Sequence, residues 1–295
     1  GFKNKGNNMG KKGKENEFLA IKNSEIVCDA TGRQYHIDLA PGELAEYVIL
    51  VGDPMRSVRA SELLTDIRVE RRNREFYSYT GNYKGLEVTI MSTGIGTPSV
   101  EITMVECYQI AKKPAFIRVG TCGSLQPEIK NGDCVISSGA VRLEDTSTFF
   151  VNEGYPCVAD YEVMLALITA CEKENVKYHV GLSASASGFY GAQGRRIPGL
   201  PLRYPNLQEE MAAMKVANFE MEASTLFTMA TLMGLRASCI CLAVAHRTTG
   251  EFIAPDAKHR GERAALIAGL DALVELSNMD KKKAAAGKQY WYPGM

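Results

Sequence analysis

Apolar and polar positions along this chain fall into short blocks whose period switches between two and about 3.6 residues, as expected when strands and helices alternate. Residues 47–51 are a continuous apolar run that stops at Gly52-Asp-Pro54, which predicts a buried strand breaking into a loop. A helix is predicted over 57–64. Segments 75–81 and 85–92 are rich in β-formers and bracket Asn82-Tyr-Lys84, a hairpin signal. Pro98 suits an early helical position, so a helix is predicted from there to 111. A strand over 115–120 stops at Thr121-Cys-Gly123, and a second apolar strand covers 133–140. Next come a helix over 161–174, a strand ending near 185, a loop through 204 and a short helix at 208–214. A strand at 217–220, a helix at 222–233, a strand at 236–245 and an amphipathic helix at 257–276 complete the pattern. Such alternation argues for one α/β domain around a central mixed sheet flanked by helices.

Composition narrows the class of protein. The 295 residues carry 34 Lys+Arg and 34 Asp+Glu, a net charge of zero, so the surplus of basic residues expected of a polyanion binder is missing. Neither a nucleic-acid nor a membrane partner is expected. The zero averages unlike parts: five lysines precede Glu15 and four follow Asp280, leaving 25 basic against 34 acidic residues between them, net −9. Residues 1–17 and 281–295 lack apolar periodicity and are expected to be mobile tails around a domain spanning 18–280. Eight cysteines show no C-x-x-C pair, which favours buried thiols in a reducing cytoplasm over a disulfide framework or zinc site. No apolar stretch reaches the roughly 18 residues of a membrane span, and no secretory leader is evident.

Chemistry is expected where strands end in loops. Glycines follow three predicted strands, at Gly52, Gly94/Gly96 and Gly120/Gly123, and can present backbone N–H groups to an anion. None forms a Walker loop or a G-x-G-x-x-G fingerprint. Arg118 stands inside the apolar run 116–119, where a guanidinium needs an anionic partner, either an internal carboxylate or a bound anion. Thr121 and the nearby glycines add donors, which tips the balance toward phosphate.

The strings Gly52-Asp-Pro-Met-Arg56, Asn73-Arg-Glu-Phe76, Ser92-Thr-Gly-Ile-Gly-Thr-Pro-Ser99, Arg118-Val-Gly-Thr-Cys-Gly123 and Asn218-Phe-Glu-Met-Glu-Ala-Ser224 resemble, in order, those of the nucleoside phosphorylase-I family. The resemblance implies a single α/β domain with a distorted, barrel-like sheet. It implies a phosphate site of Gly52, Arg56, Arg118 and Thr121, completed by Arg74 of a neighbouring subunit. Glu222, Met221, Thr121 and, as a second carboxylate candidate, Glu220 would line the ribose, with His36 reaching the 5′-hydroxyl in a neighbour's site. The segment Phe189-Tyr-Gly-Ala-Gln-Gly-Arg195 resembles the pyrimidine-recognition segment of uridine phosphorylases in this family. Gln193 and Arg195 would read the uracil edge, Phe189 would stack on the base or pack under the sugar, and Cys122, Gly123 and Arg247 would complete the base site. Arg118, Thr121 and Glu222 would carry catalysis.

The implied reaction is reversible phosphorolysis of uridine, and of 2′-deoxyuridine, to uracil and the sugar 1-phosphate. Purine-cleaving relatives carry an Asp shortly before the late arginine, but here His246 precedes Arg247. Alternatives on the same fold are a purine nucleoside phosphorylase, a nucleoside hydrolase or a non-catalytic nucleoside-binding protein. No cofactor is implied for the chemistry, while Glu75, Ile95 and Ser99 match a structural potassium site between subunits. Shared sites imply a homo-oligomer, either a dimer or a hexamer built as a trimer of dimers. Cys122 in place of threonine, and Gly191-Ala192 in place of Pro-Gly, loosen the expected preference for uridine.

Overall fold

A computed structural model describes residues 24–295, so the basic tail expected at 1–17 lies outside the described residues. Strand β1 (Tyr47–Val51) is followed by helix α1 (Pro54–Ser61), which begins three residues earlier than its periodicity predicts. Pro54 occupies its first turn, and the Asp53 side chain accepts the Met55 N–H, so cap chemistry sets the start. Strands β2 (Thr65–Asn73), β3 (Phe76–Tyr83) and β4 (Leu86–Ser92) form a meander. Helix α2 (Thr97–Ile110) leads to β5 (Ala115–Ser124) and β6 (Cys134–Leu143). The two-residue strand β7 (Cys157–Val158), helix α3 (Tyr161–Glu174) and strand β8 (Tyr178–Ala186) precede helix α4 (Leu207–Ala213) and strand β9 (Asn218–Glu220). Helix α5 (Ala223–Met233), strand β10 (Arg236–His246), the short β11 (Glu251–Phe252) and helix α6 (Pro255–Ala286) end the domain.

The sheet is mixed and closes on itself. β5, β10, β6, β8 and β9 pair in succession, and β9 returns to β5, making a five-stranded barrel. From β5 the sheet opens into a wing through β1, β4, β3 and the edge strand β2. β1 is parallel to both β4 and β5, and β10 is parallel to β5, so four strands deliver their C-terminal ends to one rim. Apolar clusters line both sides of the sheet, one around Val48, Phe116 and Phe227, the other around Ile49, Ile117 and Leu273.

The structure corrects several expectations. β5 does not stop before Thr121: it continues to Ser124 because Gly123 and Ser124 pair with Phe219 and Asn218. Gly120 and Gly123 therefore lie within a strand, and the third glycine turn does not exist. α6 runs ten residues past the predicted 276, so the 281–295 segment expected to be a mobile tail starts as helix. Buried charge explains this: Lys283 Nζ lies 2.5 Å from Glu162, Arg236 pairs with Glu162 at 2.8 Å, and the Trp291 N–H donates to Glu162 at 2.9 Å. Of the eight thiols, all free, Cys28 is exposed and the other seven are buried.

Candidate active site

A cleft of about 710 Å³ opens at the rim where β1, β4, β5 and β10 end. At one side Gly52 and Gly94 hold two turns together, with the Gly94 N–H donating to the Gly52 carbonyl at 2.9 Å. Gly94 and Gly96 have φ of +76° and +94°, a region that glycine enters without a Cβ penalty. A side chain at Gly94 would meet Glu75 Cγ at 2.9 Å, so Glu75 shares this wall.

Arg118 projects from β5 onto this floor and is only 5% exposed. Its Nη2 lies 2.8 Å from Glu222 Oε2, and its Nη1 is 3.7 Å from the Cys241 sulfur. Burial opposes the guanidinium charge, but the Glu222 carboxylate beside it favours the charged form, and the side chain is held firmly protonated. Gly120, two residues along on the same strand face, provides the space: a Cβ there would stand 2.9 Å from Cζ and closer still to Nη1. Arg56 lines the same end and pairs with Glu262 of α6 at 2.8 Å. The Nε atoms of both Arg56 and Arg118 are buried without a partner among the described residues. Two orphaned guanidinium donors in one cleft favour an anion over the purely internal salt bridge that the sequence left open.

The two glutamates of Glu220-Met-Glu222 divide their work. Glu220 accepts the Glu222 and Ala223 N–H groups at 2.7 and 2.8 Å and also binds the Ser185 hydroxyl, so it holds the start of α5. Burial, then the charge of Glu222, raises its carboxyl above the ordinary range. Glu222 accepts from the Gly96 and Met221 N–H groups at 2.9 and 3.1 Å and faces Arg118 across the floor. Both glutamates and Met221 border the cleft, together with Thr121, Cys122 and Gly123.

The opposite end is built by the loop after β8 and by β10. The Arg195 guanidinium lies 3.8 Å from the Phe189 ring centroid and donates to Gln193 Oε1 at 2.6 Å. Arg247 donates to the Gln193 carbonyl at 3.0 Å and approaches Oε1 at 3.4 Å from behind. With its acceptor engaged twice, the 3%-exposed Gln193 amide is fixed in orientation. Arg247 is absent from the cleft wall; its side chain lies against Gly123, where a Cβ would stand 2.9 Å from Arg247 Cγ. Burial, then the charge of Arg195, lowers Arg247 to about 10, and burial also lowers Arg195. Among the described residues neither forms an ion pair within 4.0 Å, so the cleft has an uncompensated positive end.

Several predicted residues stand elsewhere. His36 and Arg74 are outside their own chain's cleft and cluster together: Arg74 stacks 5.3 Å from the Tyr35 ring centroid and hydrogen-bonds its hydroxyl at 3.2 Å. Asn73 donates to the His36 carbonyl at 2.8 Å, and His36 Nδ1 lies 2.6 Å from Glu106. His246 closes the β10–β11 turn, its Nδ1 bonded to the Thr248 hydroxyl and reached by the Thr249 N–H. At the expected ion site the Ser99 hydroxyl donates to the Ile95 and Gly96 carbonyls at 3.3 and 3.1 Å. Sequence reasoning missed Val244 and Ala245, consecutive residues that both line the cleft because a register shift interrupts β10 between Ala243 and Ala245. Phe219, also missed, lies inside a recognised motif and forms part of the wall.

The phosphorylase superfamily matches residues 46–275. A uridine phosphorylase of Thermococcus kodakarensis is 45% identical over 268 residues, covering 90% of this chain and 94% of that protein. A uridine phosphorylase of Haemophilus influenzae is 37% identical over 74% of this chain and 88% of its own length. A guanosine phosphorylase of Halorubrum lacusprofundi is 34% identical over 71% of this chain and 82% of its own. Among solved structures, a Trypanosoma brucei nucleoside phosphorylase described as showing uridine phosphorylase activity superposes with a TM-score of 0.78 at 25% identity, covering 84% of this chain and 99% of that one. A Vibrio fischeri uridine phosphorylase superposes at 0.74 with 30% identity, over 84% of this chain and all of that one.

Proposed function

The chain belongs to the phosphorylase superfamily, and we infer from this that it catalyses phosphorolysis of uridine, a pentosyl transfer giving uracil and ribose 1-phosphate. The observation that carries the reading is one cleft lined at one end by Arg56 and Arg118, whose Nε atoms have no partner among the described residues, and at the other by Gln193 and Arg195, with Arg247 behind them.

Phosphate is held by the Gly52 N–H, Arg56, Arg118 and Thr121, beneath the sugar. Glu222 turns from Arg118 toward the ribose hydroxyls, lined by Met221. As the C–N bond stretches, the sugar gains oxocarbenium character, which the phosphate dianion stabilises before attacking C1′ with inversion. Uracil leaves with negative charge spread over its carbonyl oxygens, where Arg195 and the Gln193 amide nitrogen donate and Arg247 adds charge from behind. Positioning and electrostatics supply the catalysis, without a side-chain nucleophile or cofactor. His36 and Arg74 complete the site of a neighbouring subunit, which makes the working unit a homo-oligomer. A potassium ion between subunits would take the Ile95 carbonyl, Ser99 hydroxyl and Glu75 carboxylate, oxygen donors suited to a hard cation, and would hold that interface together.

Purified protein is expected to release uracil from uridine only when phosphate is present; equal release without phosphate supports a hydrolase, and faster cleavage of guanosine or inosine moves the assignment to purines. Replacing Arg195 with leucine removes a charge-assisted donor and is expected to raise the uridine KM about tenfold to a hundredfold while leaving the phosphate KM alone. A matching rise in the phosphate KM would place Arg195 in the wrong subsite.

A further inference from the structure

Arg56 is held from behind by a residue that does not line the cleft. Glu262 accepts Arg56 Nη2 at 2.8 Å, and the two side chains are 9% and 11% exposed. Helix α6 reaches this point because it lies unusually close to β10: a Cβ at Gly261 would stand 2.7 Å from Leu242 Cδ1. Glu262, the next residue, is thereby set at the barrel rim. Pairing occupies Nη2, while Nε is buried without a partner among the described residues and Arg56 itself forms part of the cleft wall.

We propose that Glu262 is the positioning residue of the phosphate site. It fixes one terminal nitrogen of the planar guanidinium and so aims the remaining donors of Arg56 at the anion. The inference rests on the phosphorolysis reading, in which Arg56 meets phosphate. Charge alone would not place a carboxylate here, since its field opposes a dianion on the far side of the guanidinium; Lys258 Nζ, 3.8 Å from Glu262, offsets part of that field. The carboxylate's contribution is therefore geometric. Glu222 differs, because its carboxylate borders the cleft and meets substrate.

The experiment measures phosphate saturation at saturating uridine, together with the shift in Tm caused by inorganic phosphate. Replacing Glu262 with alanine is expected to raise the phosphate KM about tenfold and shrink the Tm shift, with kcat and the uridine KM changing less than about twofold. Glu262→Gln keeps an oxygen acceptor without the charge, so it is expected to return the phosphate KM to the wild-type value or below. In an Arg56→Ala background, Glu262→Ala is expected to cause no further rise. An unchanged phosphate KM in Glu262→Ala overturns the proposal, as does a glutamine variant that behaves like alanine. Parallel rises in both substrate KM values with a lowered Tm, or a further rise in the Arg56→Ala background, also overturn it by showing a general structural role. Wild-type protein with neither phosphate-dependent turnover nor a phosphate-induced Tm shift would instead overturn the phosphorolysis reading, and the proposal with it.

Discussion

Replacing Arg118 with alanine is expected to lower phosphate-dependent uracil release by about a thousandfold, the scale on which a preorganised donor to a developing charge contributes. Its side chain is 6% exposed, its Nε has no partner among the described residues and its Nη2 meets Glu222. Alanine removes the donors aimed at phosphate and also leaves Glu222 buried without its cation, so the variant should unfold at a lower temperature. Arg118→Lys separates these effects. It returns a charge to Glu222 but not a planar fork, so it should recover much of the stability and little of the rate. Kinetics at varied phosphate and thermal unfolding of both variants provide the check, and full activity in Arg118→Ala would remove Arg118 from the phosphate site.

The same pairings explain how a protein with no net charge can attract an anion. Between Glu15 and Asp280 the chain is net −9, so the summed charge of that segment repels phosphate. Attraction has to arise within a few ångströms, from donors such as Arg56 and Arg118 that burial places in a low-dielectric setting. Each is compensated by a carboxylate, Glu262 for Arg56 and Glu222 for Arg118. Among the described residues Arg195 and Arg247 have no such partner, which suits an end of the cleft where negative charge develops only during reaction.

Part of this arrangement was legible from the sequence because motif residues such as Gly52 and Gly94 follow strand ends, where periodicity changes abruptly. The predicted 161–174 helix coincides with α3, whose limits are marked by the Asp160 cap and the left-handed Asn175. β2 escaped prediction because it is an edge strand on which Val69 alone is buried, leaving no alternating apolar signal. The end of β5 was misread because glycines that suggest a turn locally are kept extended by pairing with β9, a contact between residues almost a hundred positions apart. The length of α6 was missed because ion pairs, Lys283 with Glu162 and Asp280 with Arg236, rather than an apolar stripe, secure its last turns. Glu220 and Glu222 look equivalent as letters; only the hydrogen bonds show that one caps α5 while the other faces Arg118.

Gly120 leads to the second large effect, because the turn it was expected to make is absent and another reason for glycine takes its place. Gly120→Ala adds one methyl group and removes no polar atom, yet it is expected to cut turnover by about a hundredfold, the cost of misplacing a catalytic group by roughly 1 Å. The new Cβ would stand 2.9 Å from Arg118 Cζ and 3.1 Å from Nη2, nearer than nonbonded carbon contacts allow, and nearer still to Nη1. Val119 and Thr121 already hold this part of β5 by pairing with Ile240 and Leu242 of β10, so the strand cannot shift aside. The guanidinium has to move instead, which disturbs its pairing with Glu222 and misaligns the donors meant for phosphate. The loss should appear in kcat and in the phosphate KM together, with the uridine KM less affected. Wild-type kinetics in Gly120→Ala would show that Arg118 has room to relocate and that its position does not set the rate.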